Sequence, residues 1–259
     1  MKTAIKYTLL LAIMLVNSQA FAQNVHFVQN GIIEFEKKSN TYAIIKRNTK
    51  DEDAGYIQAL VEQYKKNNPQ FKTDKSTLYF TKSKSLYKWA ENDQSTNNWI
   101  AREPLADLKN IVATNFDTQS NTIQKNVYDD LFLIKDSVRK INWKITDETR
   151  EIAGYECRRA NAVIMDSIYV VAFYSTQIAV SGGPESFTGL PGMILGVALP
   201  HENITWFATK VTEVAVTEKD LTAPVKGKPV DNKKLTEILL EALKDWGKYG
   251  KSQLKGYLF

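Results

Sequence analysis

Apolar and polar residues alternate in short runs along most of the chain. Leu78 and Phe80, then Tyr87 and Trp89, alternate with polar neighbours on either side of Thr81 to Ser85, which predicts a hairpin. From residue 122 onward strand signals recur over 123–128, 131–134, 141–145, 154–166, 167–174, 193–198 and 204–214. Strands so short and closely spaced pair with sequence neighbours and meander antiparallel. Residues 30–36 and 41–46 flank a polar stretch from Lys37 to Asn40 and predict an opening hairpin.

Two segments follow the helical period instead. After Asp51-Glu52-Asp53, a helix-start signal, Ile57, Leu60, Val61 and Tyr64 recur until Asn67-Asn68-Pro69 ends them, so an early half-buried helix is expected. Near the end Leu235, Ile238, Leu239, Ala242, Leu243 and Trp246 form an apolar stripe opposite Glu237, Glu241, Lys244 and Lys248, which predicts a helix over about 232–248. Residues 91–120 are polar and weakly patterned, and no element is assigned to them. The fold class is mainly β within α+β: a curved antiparallel sheet or half-barrel, with one early helix and one C-terminal helix packed on it.

The first 22 residues follow a different rule. Lys2 and Lys6, an apolar run from Tyr7 to Val16, and Ala20-Phe21-Ala22 compose a signal peptide cleaved before Gln23. Export is the expectation, with the periplasm as destination and the extracellular space as the alternative. The apolar run is too short to span a membrane, and no cysteine near the cut would accept lipid. The rest, 23–259, reads as one domain without repeats or low-complexity linkers.

Removing Lys2 and Lys6 from 34 basic residues leaves +3 against 29 acidic ones, too small and too interspersed a balance for a nucleic-acid partner. Lys226, Lys228, Lys233 and Lys234 read as a solvated face. Cys157 is the only cysteine, so no internal disulfide braces an exported fold that must hold by packing.

The densest local signal is Ser181 to Gly196, which holds five of the 12 glycines and two of the 7 prolines and then becomes strand. Leu190-Pro191-Gly192 supplies a preset φ followed by a residue able to take φ > 0, as a type II turn requires. Gly183, Pro184, Phe187, Gly189, Leu190, Pro191, Gly192 and Met193 are the candidate binding residues. The same residues also suffice to fold a tight corner that lets a strand enter the sheet.

Four blocks resemble the GLPGLI family of exported proteins of Bacteroidetes-type bacteria. They are Thr77-Leu-Tyr-Phe80 with Ser85-Leu-Tyr87; Trp143 to Thr146 with Glu151 to Ala160; Ala172 to Ile178; and Gly183-Pro184 with Phe187 and Gly189 to Ile194. Phe173 stands where that family usually has tryptophan, Ala179 where it has proline and Met193 where it has leucine. The resemblance implies lineage and compartment and carries no general activity.

The chemistry-bearing residues are sparse. Cys157 next to Arg158 and Arg159 invites a nucleophile, but adjacent strand residues face opposite ways, and a small buried hydrophobe is the plainer role. His201-Glu202 opens like a zinc-protease motif and ends in Thr205 within a turn, and His26 is the only other histidine, so no metal site is assigned. Ser181, Ser186 and Thr188 are turn hydroxyls that bond their own backbone. Asp51 to Asp53, and Asp129-Asp130, lack calcium-loop spacing and suit helix-start and turn roles. Trp89 and Trp99 fit a ligand groove less well than a core. No catalytic residue and no cofactor is assigned.

Two functional classes stand ahead of a third, an enzyme, for which Cys157 and His201 are the best candidates. One is a non-enzymatic envelope carrier that holds a lipid or hydrophobic peptide in an apolar half-barrel cavity. The other is an accessory or chaperone-like subunit of an outer-membrane transport or secretion system, with an exposed apolar patch near Phe187 to Met193.

Overall fold

The computed structural model describes residues 27–50, 54–90 and 99–259. The signal segment 1–22, His26 and the helix start at Asp51 to Asp53 lie outside the described residues. No helix among them is long and apolar enough to cross a membrane.

Twelve strands form one sheet: β1 (Gly31–Asn40), β2 (Phe71–Phe80), β3 (Lys84–Trp89), β4 (Ile111–Asn115), β5 (Ser120–Val127), β6 (Asp130–Ser137), β7 (Lys144–Ile152), β8 (Tyr155–Ile164), β9 (Ile168–Ser175), β10 (Met193–Leu199), β11 (Ile204–Thr212) and β12 (Lys228–Val230). Their order is β12-β6-β5-β4-β3-β2-β1-β11-β10-β9-β8-β7, an open sheet with β12 and β7 at its edges. Two antiparallel meanders, β2 to β6 and β7 to β11, meet at β1, which pairs with β2 and β11. Only β12 runs parallel to its neighbour, β6.

The predicted opening hairpin does not form. β1 continues through Asn40, and Thr41–Asn48 is a helix, α1. Both edges of β1 are already taken by strands distant in sequence, so its own continuation has no free edge to pair with. The Asn40 side chain accepts from the Ala43 N–H at 3.1 Å and caps α1, and the Thr41 hydroxyl donates to the Gln70 carbonyl at 2.9 Å. Ile44 and Ile45 are fully buried, so tertiary packing overrides their strand preference.

The early helix appears as expected, as α2 (Ala54–Asn67), with Tyr64 buried and Ile57, Leu60 and Val61 half-buried. The terminal helix is two. α3 (Asn232–Leu243) buries Leu235, Leu239 and Leu243, a 3₁₀ turn follows over Lys244–Trp246, and α4 (Gly247–Leu258) completes the chain. Gly247 adopts φ +54°, which redirects the chain and leaves Trp246 45% exposed, outside the predicted stripe.

Curvature follows from which residues α4 reaches. Lys125 on β5 donates to the Tyr257 carbonyl at 2.8 Å, while the ring of Phe259, two residues on, stacks against Trp206 of β11. Five strand spacings separate β5 from β11, about 24 Å on a flat sheet, whereas two residues span at most about 7 Å. The sheet therefore bends around its terminal segment. β9 and β10 are covered on both faces and read as nearly continuous apolar runs.

Candidate functional site

The glycine-rich run is a packed corner between β9 and β10. The Gly192 N–H donates to the Leu190 carbonyl at 2.8 Å, closing a three-residue turn around Pro191 rather than the type II turn predicted. Gly192 keeps a negative φ, and its requirement is space: an added Cβ would lie 2.2 Å from the Ser175 carbonyl oxygen. The positive φ falls on Gly189, at +92°, where the Ser181 hydroxyl accepts from the Gly189 N–H at 3.0 Å and the Trp143 indole donates to the Thr188 carbonyl at 2.8 Å.

Among the predicted binding residues, Gly183, Pro184, Phe187, Leu190, Gly192 and Met193 are buried, and only Gly189 and Pro191 reach the surface. The apolar patch expected near Phe187 to Met193 is therefore absent from the surface. Phe187 instead meets Trp206 and Phe259 edge to face, with centroids 6.4 and 5.5 Å away. These rings fill the interior of the bent sheet where an apolar ligand cavity was expected.

The residue that sequence reasoning missed in this run is Glu185. It is buried at φ +51° and accepts from the Asn110 amide at 2.9 Å. Burial raises its pKa, opposed by the Lys37 charge, the Asn110 hydrogen bond, the Lys125 charge and Tyr87. Lys37, on β1, donates to the Leu105 and Ala106 carbonyls at 2.9 and 2.7 Å and sits 5.3 Å from the centre of the Trp206 ring. Burial lowers the pKa of Lys37 and of Lys125 to about 8, with Glu185 pulling each upward. One loop carboxylate thus ties β1, β3 and β5 to the run. A lone acid amid Gly, Pro and apolar residues was the only signal, and lysines on separate strands gave no local pattern to join it.

Beside the run lies an open groove of about 640 Å³. Phe116, Val138, Ile141 and Val180 give it an apolar floor; Lys82, Arg139 and Lys140 line its rim with Ser181, Thr188 and Gly189, and no carboxylate lines it. Arg139 is fixed by donating to the Leu258 and Phe259 carbonyls at 2.9 and 3.0 Å. A cationic rim over an apolar floor suits an amphiphile with an acidic end.

The remaining candidates separate. Cys157 is fully buried opposite Arg150 on β7, and burial pushes its thiol up to about 12, against the Arg150 charge, so it is packing and not a nucleophile. His201 lies in a 3₁₀ turn, 6.2 Å from the Tyr169 ring centre. Its neighbour Glu202 is held with Glu103 by the two arms of Arg47, at 2.6 and 2.8 Å. Among the described residues no group of three His, Cys, Asp or Glu is placed to hold a metal ion. Trp89 lies under the Lys109 ammonium at 4.6 Å.

Residues 162–196, from β8 through β9 and the run into β10, match the model of a family described as a protein of unknown function (Porph_ging). The match falls on the third and fourth blocks of the resemblance noted above. No curated protein matches the chain. A solved structure of PNGF-II, in space group C2, is similar at 13% identity with a TM-score of 0.52, over 81% of this chain and 32% of that one. PNGF-II in space group P21 gives 16% identity and a TM-score of 0.48, over 78% of this chain and 32% of that one. The likeness is one of fold, and this chain spans about a third of the length of the protein it matches.

Proposed function

We propose that the chain is a non-enzymatic, exported binding protein of the cell envelope, periplasmic in location, which holds an apolar molecule with an acidic end in the groove beside the glycine-rich run. The observation that supports this reading is the pairing of Lys82, Arg139 and Lys140 with a floor of Phe116, Val138, Ile141 and Val180. The interior of the bent sheet is taken by Phe187, Trp206 and Phe259, so this reading puts the ligand in the groove and not in a half-barrel cavity. The run then acts as a rigid wall, presenting Ser181, Thr188 and Gly189.

Calorimetric titration with dodecanoate and, separately, with dodecyltrimethylammonium tests the charge preference. The carboxylate is expected to bind and the cation to fail, and Lys82→Glu with Lys140→Glu, both exposed positions, is expected to weaken dodecanoate about tenfold or more. Equal binding of both amphiphiles, or of neither, refutes the reading. Native mass spectrometry of protein drawn from its own periplasm then looks for a stoichiometric apolar adduct.

A further inference from the structure

A second surface, around the β5–β6 turn and the α3–α4 junction, has a different chemistry. Tyr128, Trp246 and Tyr249 are 45%, 45% and 51% exposed, although large aromatics are mostly buried. They form a contiguous set: Trp246 and Tyr249 lie nearly parallel at 16° with centroids 5.9 Å apart, and Tyr128 meets Trp246 at 5.9 Å and Tyr257 at 4.9 Å. Tyr128 has φ +53° in the two-residue turn that joins Val127 to its partner Asp130, a place where glycine or asparagine is cheaper. The backbone is held in an uncommon conformation that presents an aromatic ring to solvent.

Next to the rings is a cleft of about 310 Å³, lined by Arg102, Asp107, Asn126, Tyr128, Asp129 and Tyr257 among others, with Asp107 already paired to Lys72 at 2.8 Å. The volume lies at the small end of ligand pockets. The side chains of Arg102, Asn126 and Asp129 are exposed, and among the described residues none makes a hydrogen bond or ion pair, so they offer donors and acceptors of both kinds. With Asp107 paired to Lys72, one free cation, Arg102, and one free anion, Asp129, remain and nearly cancel, which disfavours a charged ligand.

We propose that this surface binds a neutral carbohydrate chain, with sugar ring faces packed on Tyr128, Trp246 and Tyr249 and sugar hydroxyls bonded to Arg102, Asn126 and Asp129. A sugar ring presents C–H groups on its faces and hydroxyls at its edge. The faces suit the electron-rich face of an aromatic ring, and the hydroxyls suit a mixed set of donors and acceptors. The proposal does not depend on the groove beside the glycine-rich run, because it shares no residue with it.

The test is titration of the mature protein at millimolar concentrations of three neutral hexasaccharides: a β-1,4-glucan, an α-1,4-glucan and a chitin oligomer. Tryptophan fluorescence and calorimetry give the readouts. Binding of at least one is expected, with Trp246→Ala and Asp129→Ala each weakening it about tenfold or more while dodecanoate binding is unchanged. Asp129→Ala removes only an exposed carboxylate, so it keeps the test valid should Trp246→Ala misfold. Binding of none of the three overturns the proposal, as does binding that survives both substitutions. Binding of an aromatic peptide in place of the sugars overturns it equally.

Discussion

The glycine-rich run and the Tyr128–Trp246–Tyr249 surface invert each other. The run is the most distinctive stretch of sequence, and the structure spends that distinctiveness on packing: a three-residue turn, backbones in contact at Gly192, and a buried carboxylate at Glu185. The aromatic surface joins Tyr128 to Trp246 and Tyr249, which lie at the far end of the chain, and no local pattern marks the set, yet it is bare. Compositional oddity thus reports a backbone constraint, while the capacity to contact a ligand depends on what folding leaves uncovered.

Substitutions should separate the two regions by the size of their effect. Gly192→Ala places a Cβ 2.2 Å from the Ser175 carbonyl oxygen, a backbone clash that no rotamer relieves. We expect a loss on the order of 3 kcal/mol or more, or failure to fold, read from urea unfolding. A cost under 1 kcal/mol would show that the corner is pliable.

Lys37→Met leaves Glu185 with one fewer compensating charge and the Leu105 and Ala106 carbonyls without their donor. A cost of about 3 kcal/mol is expected, less than additive with Glu185→Gln. Strict additivity in the double-mutant cycle would show that the two residues do not act as a unit.

The pH dependence follows from the same cluster. Lys37 and Lys125 titrate near 8 when folded against 10.5 when unfolded, chiefly through burial, so between these values the unfolded chain binds more protons and stability rises with pH. The expected gain from pH 8 to about 10 is about 1–3 kcal/mol, and Lys37→Met should reduce it. Above pH 10 the Tyr87 phenol, raised by burial, reverses the trend, because the folded state then holds the extra proton. A melting temperature flat across pH 8–10 would contradict the buried-charge account.

The smallest effect belongs to the bare surface. Trp246→Ala should cost about 1 kcal/mol, since the side chain is 45% exposed and loses only its ring contacts with Tyr128 and Tyr249. A larger loss in thermal melts would mean that the surface is a fold element after all.

How far the sequence could be read depended on whether a pattern was local. β2, β3, β5, β6, β8, β11 and α2 were legible because each alternates or repeats within its own length, and β9 and β10 because each is a short, nearly continuous apolar run. The junction of β1 and α1 was not: whether Thr41 to Asn48 forms a strand or a helix depends on β11, more than 150 residues away, having already taken the edge of β1. β7 was placed too early because its charged outward side chains, from Lys144 to Glu151, mask its alternation, as suits a sheet edge. The candidate site was legible only as a location. Gly189 alone of the candidate binding residues lines this groove, whereas Lys82 and the Arg139-Lys140 pair come from two separate connections and meet only when folded.

The burial of Cys157 has a practical consequence. It is the chain's only thiol, set in β8 between β7 and β9 with no exposed surface. A maleimide can reach it only when this end of the sheet opens, so labelling speed in native buffer becomes a clock for that opening. With no second sulfhydryl to blur the signal, one mass shift times the breathing of the β7–β11 half alone.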